Sequence, residues 1–443
     1  MVSVKQIREN PDWFRSEIKK RMDEELLKHY EEFLKIDNEW RSLIKELDGL
    51  RKKRNEISEL INKYKKQGKD VKELIEKARE LPLKIKNLEE KQRVLEEKRY
   101  ELMLLLPNTV DEDVPIGDET KNQPIAYYGK PRVKQAFIER FKEQHVNVEF
   151  EPWSKEILSH YDIVEKFNIV DSETAGKISG SRFYFEKNQL VMLDLAIIMH
   201  ALEFYQKKGF TNVLLPPYLI KHDVEKKITH YDTFKEAIFH VKEDDLLLIT
   251  TSEHPLAAMF MNKNIPKNEL PLRILAWSPA FRREAGSHGK DTKGIFRVKQ
   301  FHKVELHSIT ELANDRQELD FIVKTVVDYM KELELPFRVV KLASGDIDKR
   351  ARIQIDIETW FPSQNAYRET HSIATVGDWI STKLRIKTGN AFVANLYATG
   401  VAVQRTICAL LENNYDSETN TIKIPKCLHK FLSFKTIELS EKP

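Results

Sequence analysis

The chain has 443 residues, of which 32% are charged and 41% hydrophobic, and its net charge is only +3. That length sustains two or three domains with a large core, and the near-neutral balance means that any basic, nucleic-acid-binding surface must be local. Two cysteines without CxxC spacing or paired histidines exclude a disulfide framework and a zinc site, and no run of about eighteen apolar residues exists to span a membrane; the N-terminus reads as neither a signal nor a transit peptide, so a reducing cytoplasm is the expected compartment.

Phe33, Ile36, Trp40, Leu43, Leu47, Leu50, Ile57, Ile61 and Tyr64 recur at alternating three- and four-residue steps, with Arg54 in the one missing place. Gly68 and Asp70 then stop one helix and start another, and the pattern resumes from Val71 through Leu81, Ile85, Leu88, Leu95, Arg99 and Leu102 to Leu106. A 3.5-residue period on both sides of one tight turn predicts two antiparallel helices of about 33 residues, on the order of 50 Å long, with Pro82 a local conflict. Arg51, Lys52, Lys53, Arg54, Lys63, Lys65, Lys66 and Lys69 crowd the tip against few acids. A basic-ended rod suits a nucleic-acid backbone, but the arm alone fits a solvated coiled coil that mediates oligomerisation at least as well. Residues 1–110 are thus expected to form an N-terminal domain, 111–150 an acidic, proline-bearing connecting segment, and 151–443 the main body.

In the body, strands and helices mix without a βαβ rhythm, which predicts an α+β fold, an antiparallel sheet with helices packed on it. Leu190–Lys207 reads as an amphipathic helix, Gly209–Tyr218 as a strand closed by Pro216 and Pro217, and Leu246–Ile249 as a buried strand leading into Thr251-Ser252-Glu253-His254. Phe281-Arg282-Arg283-Glu284, a glycine-bearing polar loop, and Ile295–Glu305 read as strand, loop, strand, with Phe296 and Val298 alternating on the return limb. Ile353–Phe361 alternates as a strand, Tyr367–Ser372 is a polar segment, and Tyr397–Glu412 reads as a small-residue turn opening an apolar helix. The hairpin alone is read equally well as an exposed charged surface or as a triphosphate site, in which Arg282 and Arg297 meet phosphate oxygens, Phe301 stacks a base, and Glu284 and Glu305 accept from amino groups. Gly286–Thr292 is too short in its glycine spacing for a phosphate loop, and no GxGxxG lies between a strand and a helix. His254, His288, His302 and His371 lack metal-ligand spacing.

Taken in order, these segments resemble seryl-tRNA synthetases, a family of class II aminoacyl-tRNA synthetases. Val213–Tyr218, Phe281–Glu305 and Gly400–Thr406 are similar to the three class II motifs, and Thr251-Ser252-Glu253 to the family's Thr-x-Glu serine motif. The resemblance implies a serine–tRNA ligase that makes seryl-adenylate and pyrophosphate from L-serine and ATP, then loads tRNA(Ser), with tRNA(Sec) a further candidate acceptor. It implies Thr251, Glu253, Glu305 and Thr399 around the serine. On the ATP side it implies Arg282 and Glu284 at the α-phosphate and adenine, with Val298 and Phe301 along the adenine. Glu369 and Ser372 would bind ATP through Mg²⁺, and Arg405 would meet the γ-phosphate; Arg282, Glu369 and Arg405 carry the catalysis. It further implies a homodimer through the segment around Pro216 and Pro217, and an arm that meets the tRNA. The Ser252–Pro255 and Ala402–Arg405 wording looks archaeal. Zinc is not expected, because the cysteine ligands of the zinc-dependent variant are not visible. Two departures stand out: Tyr397, where many relatives carry asparagine, and Ile380-Ser381-Thr382-Lys383, in place of the usual Gln-Ala-Arg-Arg.

Overall fold

A computed structural model describes residues 3–284 and 293–439. The chain divides into two compact units, one of Asp12–Lys19 with Asp23–Pro107, the other of Met1–Pro11, Lys20–Met22 and Asn108–Pro443. The polar loop at 285–292, with His288, lies outside the described residues.

The first unit is built on two long helices, α1 (Glu24–Lys66) and α2 (Lys72–Leu104). At 43 residues, α1 starts at Glu24, well before the heptad run that begins at Phe33 suggested. Asp23 caps it by accepting from the backbone N–H of Glu25 and Leu26, and Leu26 and Tyr30 extend its buried stripe. The helices meet along Phe33, Ile36, Leu43, Leu47 and Ile57 on one side and Leu81, Ile85, Leu95 and Leu102 on the other. The turn between them uses Gly68 at φ +66°, and α2 runs on through Pro82. Inside the seam, Arg99 donates to the buried Asp37 carboxylate at 2.5 Å and lies 4.7 Å from the centre of the Trp40 ring. A polar pair in an apolar seam tolerates only one register.

The second unit is organised by a sheet of eight successive strands: β1 (Gln123–Tyr128), β2 (Asn212–Leu214), β3 (Leu272–Phe281), β4 (Gln300–Glu311), β5 (Phe337–Lys341), β6 (Ile353–Phe361), β7 (Ala366–Gly377) and β8 (Ala391–Ala402). Their spatial order is β1-β5-β6-β7-β8-β4-β3-β2, with the short Lys387–Thr388 strand paired beside β8. All pairs are antiparallel except β2 with β3. Alternation gives the sheet two faces. On one, Leu306, Ile373 and Ala398 join the main core with the helices α3 (Gln189–Lys207), α4 (Asp315–Glu332) and α6 (Val403–Asn414). On the other, Ile309, Ala374 and Tyr397 pack with α5 (Trp379–Leu384) and with a small three-stranded sheet that includes Leu246–Leu248.

Several local expectations are corrected. Residues 111–150 are more than a connection, because β1 within them forms the sheet's edge. The polar segment Tyr367–Ser372 is part of β7, and Tyr397–Ala402 is strand rather than turn, so that the helix begins at Val403. Conversely, Phe296 and Val298 are buried in irregular backbone, and the return strand starts only at Gln300. Alternation in residues 295–298 arises from a turn dipping into the core. Among the described residues, no helix is long and apolar enough to cross a membrane.

Candidate functional site

A polar cleft opens on the second face of the sheet, floored by β4, β7 and β8. Its floor depends on an irregularity in the pairing of β4 with β8. Val304 faces Val401, but Glu305 faces Thr399, leaving Gly400 as an extra residue. The bulge lets Val401 join the core beside Val304, while Thr399 and Ala402 both face the cleft. At Gly400 a Cβ would come to 3.0 Å from the Tyr205 ring and 3.2 Å from the Val304 carbonyl, and the Gly400 carbonyl accepts from the Tyr205 hydroxyl at 2.8 Å.

One end of the cleft gathers Thr251, Glu253, Glu305 and Thr399, four residues from three separate segments. Thr251 donates to Glu305 Oε2 at 3.4 Å and accepts from the Glu253 N–H at 3.2 Å. Glu305 is fully buried, with Lys303 on Oε2 and no partner for Oε1 among the described residues. Burial lifts its carboxyl to about 7, against the pull of Lys303 and with the Glu253 charge adding to the lift. Burial would also raise Glu253, but Arg350 and His254 hold that carboxyl below its ordinary value. The site thus holds one carboxylate kept ionised and one poised near neutrality, the latter with an open oxygen suited to a cation.

The other end gathers Arg282, Glu284, Val298, Phe301, Glu369 and Arg405. The Arg282 guanidinium sits 5.3 Å from the Phe301 ring centre and donates to the Thr250 carbonyl at 3.4 Å. Burial and the like charge of Arg405 depress its pKa, so an anion between the two arginines would relieve a repulsion. Arg405 pairs with the Glu369 carboxylate at 3.1 Å, and this charge outweighs burial in keeping Glu369 ionised. Arg297 approaches Glu284 at 3.8 Å, and Glu284 has φ +51°, a left-handed backbone just before the polar loop. Ser372 lines the cleft beside Glu369 and accepts from Gln354 Nε2 at 2.9 Å; Gln354 also reaches Asp356 at 3.2 Å. Burial, with the Glu369 charge adding, drives the Asp356 carboxyl well up. An acidic side chain half-open to the cleft at Glu369 and a hydroxyl at Ser372, with the buried Asp356 behind them, supply oxygen ligands of the kind a hard divalent cation takes, although among the described residues no three His, Cys, Asp or Glu side chains are grouped to hold a metal ion.

The expected site residues of the body therefore line one continuous cleft, its two ends sharing Arg282, Lys303, Glu369 and Thr399, except Glu305, which is buried beneath the lining residues Thr251 and Lys303 and bonded to both. Sequence reasoning missed Asp348 and Arg350, which belong to no motif, and Lys303, which lies within the Phe281–Glu305 stretch but was given no role. Only the position of Lys303 on β4, two residues before Glu305 on the same face, was available as a signal. The histidines are engaged elsewhere: His254 with Glu225 at 2.8 Å, His302 with Asp194 at 2.9 Å, and His371 with Thr370 at 2.9 Å. In the arm unit, Arg51, Lys52, Lys53, Arg54, Lys63, Lys65, Lys66 and Lys69 are all exposed near the turn; Arg51 is tied to Glu89 at 2.8 Å and Lys69 lies 5.1 Å from the Tyr64 ring centre.

Comparison with known proteins agrees with this geometry. Residues 1–110 match the seryl-tRNA synthetase N-terminal domain, and residues 234–414 the tRNA synthetase class II core domain (G, H, P, S and T). The serine–tRNA ligase of Pyrococcus horikoshii is 40% identical over 100% of this chain and 98% of its own. The crystal structure of that organism's seryl-tRNA synthetase complexed with ATP superposes with a TM-score of 0.93 at 40% identity, covering 100% of both chains. The cytoplasmic serine–tRNA ligase of Naegleria fowleri in complex with AMP gives 0.80 at 28% identity, covering 98% of this chain and 96% of that one. The chain therefore belongs to the seryl-tRNA synthetase family of class II aminoacyl-tRNA synthetases.

Proposed function

We propose that this protein activates L-serine with ATP to seryl-adenylate, releasing pyrophosphate, and transfers the serine to the 3′ end of tRNA(Ser). The observation that carries this reading is a single cleft with the guanidinium groups of Arg282 and Arg405 at one end and, just beneath Thr251 and Lys303 at the other, the buried Glu305 carboxylate, whose Oε1 has no partner among the described residues. The serine ammonium takes the open Oε1 of Glu305, next to the Thr251 hydroxyl. Thr399 and Glu253 read the substrate hydroxyl, and a site with buried polar partners rejects alanine because they would be left unpaired. Adenine lies along Phe301 and Val298, with Glu284 accepting from its amino group. Arg282 meets the α-phosphate and Arg405 the γ-phosphate.

In the first step the serine carboxylate oxygen bonds to the α-phosphorus and pyrophosphate leaves. In the second, the terminal ribose hydroxyl of the tRNA bonds to the serine carbonyl carbon and AMP leaves. Such transfers need positioning and charge stabilisation rather than a protein nucleophile, which suits a cleft of arginines and acids. Glu369 and Ser372, with Asp356 behind them, would hold Mg²⁺, which when bound neutralises phosphate charge.

The exposed basic tip of the arm is the surface we assign to the tRNA backbone. Homodimerisation through the segment at Pro216 and Pro217 is supported by an apolar surface there, where Leu215 is 62% exposed and Met192, Leu195 and Met199 of α3 are each about half exposed. A cytoplasmic location follows from this role. The deciding experiment is serine-dependent ATP–pyrophosphate exchange with and without tRNA(Ser). Exchange that ignores serine, or that threonine supports as well, overturns the reading.

A further inference from the structure

We propose that Arg350, locked by Asp348 and Tyr397, is a positioning residue that fixes Glu253 and thereby sets selection for the substrate hydroxyl. The proposal rests on the serine reading above and concerns three residues outside the class II motifs.

Arg350 is 2% exposed and lies in the loop between β5 and β6. Its Nη1 donates to Glu253 Oε1 at 2.8 Å and to the Ile228 carbonyl at 3.0 Å. Its Nε and Nη2 meet the Asp348 carboxylate at 3.1 and 2.6 Å. With Nε, both Nη1 protons and Nη2 engaged, the guanidinium has one orientation. Tyr397 closes the arrangement from the cleft side: its hydroxyl donates to Asp348 Oδ2 at 3.2 Å, and Arg350 lies 5.2 Å from its ring centre. The loop is also held from behind, since Asn108 donates to the Arg350 carbonyl at 3.0 Å, and Arg21 to the carbonyls of Asp348 and Ala351 at 2.9 and 2.6 Å.

This arrangement exceeds what a structural ion pair needs. A carboxylate that only joined two segments would be satisfied by one flexible lysine. Here a rigid planar fork holds one oxygen of Glu253, and that fork is itself held by a second carboxylate and a phenol, both of which line the cleft. Such layering fixes the carboxylate to the precision needed to tell a hydroxyl from a hydrogen.

The test is steady-state pyrophosphate exchange on Tyr397→Phe, Asp348→Asn and Arg350→Lys, measuring KM for serine and ATP, kcat, and the serine-to-alanine ratio of kcat/KM. Each variant keeps shape while loosening one link. Tyr397→Phe, which deletes one hydrogen bond, should raise the serine KM about three- to tenfold. Asp348→Asn and Arg350→Lys should raise it roughly 10- to 100-fold and lower the discrimination against alanine. ATP KM and kcat should stay within about twofold in all three, a split that general destabilisation would not produce. Should the charged-residue variants fail to fold, Tyr397→Phe decides. An unchanged serine KM in folded variants, or equal changes for serine and ATP, overturns the proposal. Absence of serine-dependent exchange in the unmodified protein would instead overturn the serine reading on which it stands.

Discussion

Arg405 holds Glu369 twice, donating from Nη1 to its backbone carbonyl at 3.0 Å and to its carboxylate at 3.1 Å. The contact fixes the first turn of α6 to the middle of β7, so the arginine is aimed before any ligand arrives. It also keeps Glu369 ionised, with Arg282 and Arg297 adding to the effect.

Arg405→Ala should therefore lower ATP–pyrophosphate exchange by roughly 10²- to 10³-fold, the usual loss when one donor to developing charge is removed. The Glu369 carboxyl would rise toward its ordinary range. Binding of tRNA(Ser), measured by filter retention, should stay within about twofold if, as proposed, it depends chiefly on the arm.

Glu305 gives a pH dependence with a definite sign. Its carboxyl is raised to about 7 in the folded protein, so on the proposed reading, in which the serine ammonium meets this group, serine would find the carboxylate only as pH rises. We expect kcat/KM for serine to climb through about pH 7 and then level off, and Glu305→Gln to lose that limb together with most activity. Stability runs the other way. The folded state holds this proton more tightly than the unfolded chain, so Glu305 lowers stability as pH rises from about 4.3 to about 7 and adds no further slope above that. Denaturant midpoints of the native protein and Glu305→Gln across that window would reveal the difference.

The arm yields a salt signature. Replacing Lys63, Lys65 and Lys66 by Glu should weaken tRNA(Ser) binding and flatten the plot of log affinity against log salt by about one unit of slope per lost phosphate contact. Pyrophosphate exchange without tRNA should be unaltered.

Arg21 offers a stability test away from the cleft. Fully buried, it donates to the carbonyls of Asn108, Asp348 and Ala351 at 2.8, 2.9 and 2.6 Å. Arg21→Met preserves length but leaves the Asn108 and Ala351 carbonyls without this donor, while the Asp348 carbonyl keeps the Ala351 N–H at 2.9 Å, a loss of about 3 kcal/mol. A lower thermal midpoint, read by circular dichroism, is the expected result.

The parts of this architecture that were legible in the sequence are those with one dominant period or a contiguous motif. The heptads of α1 and α2 gave the hairpin, although the extension of α1 back to Glu24 was hidden because Leu26 and Tyr30 had not been joined to the stripe. The start of β7 was read only as a polar segment because an extra residue at Thr370 breaks its alternation and it turns Glu369 and Ser372 to the cleft where an ordinary sheet would carry aliphatic residues. Ligand-facing strands lose the very alternation by which strands are found. The opposite error came at Phe296 and Val298, buried side chains on irregular backbone. Asp348 and Arg350 were invisible because their role depends on the pairing of Arg350 with Glu253, which joins positions nearly a hundred residues apart, and nothing local marks it.

The extra residue at Gly400 has an arithmetic consequence. Side chains along a strand have only two directions to choose from, so chain length between Thr399 and Arg405 governs the amino-acid end and the phosphate end together. Deleting that glycine would not nudge Thr399 by a fraction of an ångström; it would turn either the threonine or the segment beyond it to the reverse side of the sheet. Parity, as much as residue identity, is what selection must preserve there.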